Sequence, residues 1–516
     1  MRSTFHGLET ARRSLFTHQA ALNTTGHNIA NANTKGYSRQ VVNIVASKPM
    51  EAVGMMRSNI PGQIGTGVEF DSITRVRERF LDDQYIKGNQ SFSSWQVRRD
   101  TLEKLELVMN EPSDDGLLSV INDFWDAWSD LSKDPENIDG RKIVRETALA
   151  LTGAFNTIHR QLTDMQTDLT ENISISTAEL NSITETIARL NSEIRRIEGF
   201  GNNANDLRDQ RDLLVDELSS LVNVDVQETD QGYTITMGNV VLVDGLQANP
   251  ITTQSLQNAF SSGALSGGKI HGMIVSRDTY VADYIEEMNT LANNIANGEI
   301  TVTIPAGSVI PVGTELDGVV YNDTNNVLAE DLTVTVNGLN GLHQLGYHLV
   351  EPYTGSAFFV SGEVGPDGQP APITAGNFSL NPDIEENPNL IATSMRVLDD
   401  GTVVEGNNSL ALLMAGLKST RFTFATDSGD TKATIDDYFR STVGQLGVQT
   451  KEAIRQSNNL LASVQQVDMR RQSVSGVSLD EEMTNMIRFQ HAYNAAARTV
   501  TAVDEMLDLV INRMGV

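Results

Sequence analysis

The residues whose types and spacing could do chemistry fall in three places. Asp206, Asp209 and Asp212 sit at three-residue intervals in NANDLRDQRDLLVDELSSLV, residues 203–222, and three carboxylates invite a metal ion. At that spacing they drift around a helix, and Arg208 and Arg211 stand beside them, so a solvated, ion-paired face is expected. GALSGGKI, residues 263–270, follows the phosphate-loop pattern as far as Lys269. It has Ile270 where a magnesium-binding hydroxyl is needed, and no apolar strand precedes it, so nucleotide binding is not expected. His343 and His348 have no third histidine or carboxylate at a helical repeat of them, which favours packing over metal. The chain has no cysteine, and so no disulfide, thiolate site or cysteine nucleophile. No catalytic, cofactor-binding or metal-binding residue is predicted.

The elements that would have to position such groups are more informative. From Ser478 to Met514, Leu479, Met486, Tyr493, Val500, Leu507 and Met514 recur every seventh residue, with Phe489, Ala496, Val503 and Val510 three residues after four of them. This is one apolar stripe along one long helix. Ser478 and Glu481 have the spacing of a capping box, while Arg513 and Gly515 suit the helix end. At the other terminus Leu8, Leu15, Leu22 and Ile29 also recur by sevens, and Thr4, Ala11, His18, Thr25 and Ala32 form the slimmer companion row. A bulky stripe against a slim one predicts a close helix pair with too little apolar surface for its own core. Such stripes are expected to meet other copies or other proteins.

Composition bounds the rest. A chain of 516 residues should hold three or four domains, and a net charge of -29 with pI near 4.6 opposes nucleic acid or an anionic membrane as partner. No run of eighteen apolar residues occurs, and MRSTFHGLET lacks the apolar segment of a cleaved secretory signal. Neither a membrane span nor Sec export is expected.

Along the chain, helix dominates both ends. TKGYSRQ at 34–40 breaks the first helix, 41–46 and 65–73 read as extended, and helical spacing returns at 78–109. Asp114 or Asp115 would cap a helix carrying Trp125 and Trp128 into a core. A second seam, Ile173, Ser176, Leu180, Ile183, Ile187, Leu190, Ile194 and Ile197, has a candidate antiparallel partner at 438–467. Residues 224–254 read as short strands, a helix is expected over 278–297, and β-branched runs at 300–336 suggest a small β subdomain splitting a helical stretch. The expected fold is mainly α with β insertions: long terminal coiled-coil helices, a helical bundle and outer β domains. The expected partition is 1–40 with 478–516, 41–223 with 405–477, 224–298 with 338–404, and an insert at 299–337.

ALNTTGHNIANANTKGYSRQ, residues 21–40, resembles the N-terminal signature of bacterial flagellar axial proteins, and GYSRQ narrows the likeness to the hook-associated protein 1 family. The motif residues are Asn31, Asn33, Thr34, Gly36, Tyr37, Ser38, Arg39 and Gln40. Blocks at 121–141, 205–219, 341–359 and 475–515 agree; Lys35 stands where proline is frequent, and the 299–337 insert departs from the family pattern. The resemblance implies a structural protein of the extracellular flagellum, exported unfolded without a cleaved signal peptide and joining hook to filament. Its implied partners are copies of itself in a ring, hook protein, the next junction protein and filament, and a cytoplasmic export chaperone at the C-terminal helix. The interface would be Leu8, Leu15, Leu22, Ile29, Met486, Phe489, Tyr493, Val500, Val503, Leu507 and Val510. Hook protein or flagellin is the nearest rival; a cell-wall hydrolase would need converging carboxylates in a cleft, and a signalling coiled coil would need a membrane span.

Overall fold

The computed structural model describes residues 5–49, 65–111, 113, 116–322, 326–365, 368–398, 400–425, 429–509 and 511. Its backbone packs into two compact units, one of Met1–Trp95, Ile173–Gly272 and Gln456–Val516, the other of Gln96–Asn172 and Met273–Arg455. The division falls inside helices Arg79–Met109, Ile138–Glu198, Gly268–Val275 and Ile435–Ser475. The fold is mainly α with β insertions, as the periodicities predict.

In the first unit, helix His6–Ala30 packs against the last helix, Leu479–Asp508, and against a ribbon in which strand Gln40–Ala46 pairs antiparallel with Val68–Arg75. The second seam is buried along most of its length: Ile173, Ser176, Leu180, Ile183, Ile187, Leu190 and Ile194 are nearly inaccessible, and Ile197 is half-buried. Strands Asp225–Thr229, Gly232–Met237, Val240–Asp244 and Gln247–Ala248 form an antiparallel meander, as their period of two suggests. The GALSGGKI stretch follows a helix, Thr253–Ser261, rather than a strand. Gly268 has φ +86°, and a Cβ there would lie 2.4 Å from the Leu221 carbonyl oxygen, so this glycine serves close backbone packing.

The second unit is built on helix Leu117–Leu131, whose Phe124 and Trp128 are fully buried and Trp125 nearly so. Gly116 occupies its N-cap, and Asp114 and Asp115 lie outside the described residues. Phe124 and Trp128 meet Phe359 and Phe358 at ring distances of 5.7 and 5.6 Å, and Phe359 meets Phe378 at 4.5 Å. Asn340 joins this core to its neighbours: its Oδ1 accepts from the Phe358 and Phe359 amides, and its Nδ2 donates to the Asn297 Oδ1.

The helix expected from Asp278 starts ten residues earlier, as Gly268–Val275, passes through a π turn, Ser276–Val281, and continues as Ala282–Asn297. Ser276 is buried inside the continuing helix, and Asp278, the expected start, pairs with Arg277. At 299–337 strand Glu299–Ile304 pairs antiparallel with Leu332–Asn337, and Glu299 faces Asn337 at the base. Gly338, at φ +54°, turns the chain back into helix Gly338–Gln344 where a Cβ would strike Ala296. Helix Ala282–Asn297 thus leads into the insert and the short helix Gly338–Gln344 receives the chain after it.

His343 is a packing residue. Fully buried, it donates from Nδ1 to the Ser356 carbonyl at 2.6 Å and accepts the Ala392 amide at Nε2 at 2.9 Å, so both nitrogens are satisfied in the neutral ring. Burial brings its pKa down to about 4. The native state then binds fewer protons than the unfolded chain between about pH 6.5 and 4, so stability from this ring is complete above that window and is lost as pH falls through it. The expected loss is about 3 kcal/mol. Urea unfolding of the second unit at pH 7 and pH 4.5 checks it: the parent should lose more stability on acidification than His343→Gln.

Candidate functional site: the paired termini and the joint behind them

The two terminal helices run antiparallel. Gly7 lies opposite Val503, the His18 ring is 6.2 Å from Phe489, and Asn28 donates to Glu482 at 2.9 Å. The face of the first helix that is fully buried carries small or short polar residues: Ala11, Thr17, Ala21, Thr24, Thr25 and Asn28. Side chains this small let two helix axes approach closely, and Ala496 on the last helix is likewise buried.

The predicted interface residues lie beside this contact. Leu8, Leu15, Leu22 and Ile29 are half-buried, as are Met486, Phe489, Tyr493, Val500, Val503 and Leu507. Val510, Met514, Arg513, Gly515 and Thr4 lie outside the described residues. Further apolar side chains stand open on the pair, with Phe16 61%, Met483 53% and Ile487 56% exposed.

The helix entry follows half of the capping box. Ser478 accepts the Glu481 amide at 3.5 Å, while the Glu481 carboxylate turns to Arg39 at 3.0 Å. The motif after the first helix is a polar joint. Asn31 donates to the His27 carbonyl and accepts from Thr34, Asn33 is exposed, and Gly36 at φ +80° lies against Leu213. The Tyr37 hydroxyl donates to the Asn28 Oδ1 at 2.7 Å, and burial together with Asp206, Asp209 and Glu482 pushes its pKa up, which keeps it a donor. The Ser38 amide donates to Asp209 at 2.9 Å, the Arg39 amide to the Ser475 carbonyl at 2.8 Å, and the Gln40 side chain to Asp206 at 2.7 Å. A cleft of about 780 Å³ opens beside the joint, lined by 32–38, Arg77, Asp216, Arg471 and 475–478.

The aspartates of helix Asn205–Leu221 correct the expectation of a solvated face. Only Asp206 is exposed; Asp209 and Asp212 are 5% and 6% accessible. Their cations come from the ribbon rather than from their own helix: Arg75 reaches Asp209 at 2.6 Å and Asp212 at 2.8 Å, and Arg77 reaches Asp212 at 3.1 Å. Burial opposes the charged form of Asp212, but Arg77, Arg75 and the Tyr233 hydroxyl outweigh it and hold its pKa below the usual range. Arg208 turns to Glu198 and Glu228, while Arg211, itself buried, lies over the Tyr233 ring at 3.4 Å. These groups bind one another.

Sequence reasoning missed Asn28, Arg75, Arg77 and Glu482. An arginine pair at i and i+2 ending a strand, opposite aspartates at i and i+3 on a helix, is a signal visible only once the two elements are known to meet.

Three family models match the chain. One described as the flagellar hook-associated protein FlgK helical domain covers 102–298, one for flagella basal body rod proteins covers 8–37, and one for the C-terminal part of the basal body rod FlgEFG proteins covers 471–514. The last two coincide with the paired helices and the start of the joint. Flagellar hook-associated protein 1 of Bacillus subtilis is 35% identical over 100% of this chain and 99% of its own length. The chain belongs to the flagellar hook-associated protein 1 family. The Escherichia coli member of that family is 27% identical over 96% of this chain and 97% of its own. A solved Burkholderia pseudomallei structure titled as the flagellar hook junction protein FlgK superposes with TM-score 0.47 at 14% identity, covering 77% of this chain and 100% of that one. Members of the hook-associated protein 1 family are structural hook–filament junction proteins of the extracellular bacterial flagellum. Among the described residues no helix is long and apolar enough to cross a membrane.

Arg75 is the residue on which the joint depends. Arg75→Ala should lower the stability of the first unit by about 3–5 kcal/mol, because it leaves buried carboxylates short of a cation, whereas Lys35→Ala, at an exposed 4.0 Å pair, should cost less than about 1 kcal/mol. Urea denaturation of the two variants measures the contrast.

Proposed function

We propose that this chain forms the ring that joins hook to filament, and that the paired terminal helices are the surface by which copies hold one another and the hook protein. The observation that carries this is the half-open seam. A helix pair that buries its small residues between its axes and leaves Leu8, Leu15, Leu22, Ile29, Met486, Phe489, Tyr493, Val500, Val503 and Leu507 only half covered has apolar surface left for neighbours. Val510 continues the same row in sequence. The next junction protein and the filament would lie on the far side of the ring.

In this reading the chain is not an enzyme: the buried carboxylates near the joint are committed to arginines. Export from the cytoplasm proceeds without a cleaved signal peptide, and a cytoplasmic chaperone covers the stripe of 478–516 in the manner of a helix laid in a groove. The proposed domains are a terminal one, 1–40 with 478–516, a helical one, 41–223 with 405–477, a β-rich one, 224–298 with 338–404, and the insert 299–337.

Electron microscopy of a deletion strain should show hooks without filaments while flagellin accumulates in the medium; filaments of normal number would refute the proposal. A finer test replaces Leu22 or Leu507 by Asp. The secreted monomer should keep its second unit folded by urea titration, yet neither variant should restore filaments, since a charge at the seam opposes burial against a neighbour.

A further inference from the structure

The terminal pair has two open flanks of different character. Taking 100° per residue, Phe5, Leu8, Arg12, Leu15 and Phe16 fall within an arc of about 100° on one side of the first helix, turned away from its buried row of Ala11, Ala21 and Thr25. On the last helix Leu479, Met483, Ile487 and Glu505 fall within an arc of about 80°, turned about 100° from the Phe489–Val500 row. Both flanks are apolar with a charged residue set among the apolar ones. Their charges are opposite, Arg12 on the first and Glu505 on the last, and the whole helices lean the same way, with two arginines against one glutamate on the first and six carboxylates against two arginines on the last. The pairings of Arg12 are local. Among the described residues it bonds to Glu9 on its own helix, an exposed contact worth little, so it can turn to a stronger partner.

We propose that in the ring the open flank of the last helix of one copy packs on the open flank of the first helix of the next, with Glu505 on the Arg12 side. This rests on the assembly role proposed above and deepens it by naming which face meets which. Two different patches that complement each other make a heterologous contact, the kind that repeats around a closed ring, whereas a self-complementary patch would stop at a dimer. Opposite charge on the two flanks sets the pairing apart from first-helix to first-helix contact, in which Arg12 would face its own kind. The apolar residues supply the buried area, and the charges supply the choice of partner.

The test is charge exchange within one chain. Glu505→Lys and Arg12→Glu are made singly and together, circular dichroism confirms unchanged helicity of each monomer, and assembly onto purified hooks is scored by pelleting at low and high salt. Each single reversal should lower assembly about tenfold at low salt, with a smaller deficit at high salt, and the double reversal should recover to within about threefold of the parent. Single variants that assemble like the parent, or a double variant no better than the singles, would overturn the pairing. Leu22→Asp separates this from the broader reading. If it assembles normally, the terminal helices are not the interface at all; if it fails while the charge variants behave like the parent, only the face assignment falls.

Discussion

The buried meeting of Arg75 and Arg77 with Asp209 and Asp212 is the interaction on which the first unit depends. Taking charged groups out of water is unfavourable unless each finds its partner, and these do so only when the ribbon and helix Asn205–Leu221 lie in one relative position. The same Asp209 accepts the Ser38 amide, and the same ribbon receives the Arg39 carbonyl through Val76. The segment leaving the first helix is therefore fixed by the charge cluster before any contact between the terminal helices is counted. Apolar packing could tolerate a shifted register here; a carboxylate shared between two guanidiniums and a backbone amide cannot.

That constraint explains the chemistry of the family motif. Gly36 supplies the backbone turn, Tyr37 and Gln40 close on Asn28, and Arg39 ties the start of the last helix to the end of the one before it through Ser475 and Glu481. Two chain crossings, 31–40 and 475–478, are thereby bound to each other and to helix Asn205–Leu221. The apolar rows on the terminal helices are left without a share in this joint and stay half-covered.

Much of this was legible in the sequence. The heptad rows at both ends, the small companion row on the first helix, the meander at 225–248 and the split helical stretch around 299–337 each follow from a period of seven, three and a half, or two. What could not be read was pairing at long range. Asp209 and Asp212 carry the same pattern whether they face water with Arg208 or a strand with Arg75, because the local spacing is identical and only burial differs. The helix start at Gly268 was hidden for a related reason: GGK reads as a loop by composition, and Gly268 holds its conformation because Leu221 passes too close for a side chain.

The neck of the insert has a consequence of its own. Glu299 and Asn337 are paired across one antiparallel rung, so the chain leaves and returns to the helical stretch at points about 5 Å apart. Anything carried between them adds no strain to the scaffold, provided its own ends lie equally close. The position is thus a socket in the modular sense: lineages could lengthen, shorten or exchange the decoration there while Ala282–Asn297 and Gly338–Gln344 keep their packing, and surface variation could accumulate at a rate decoupled from that of the structural frame.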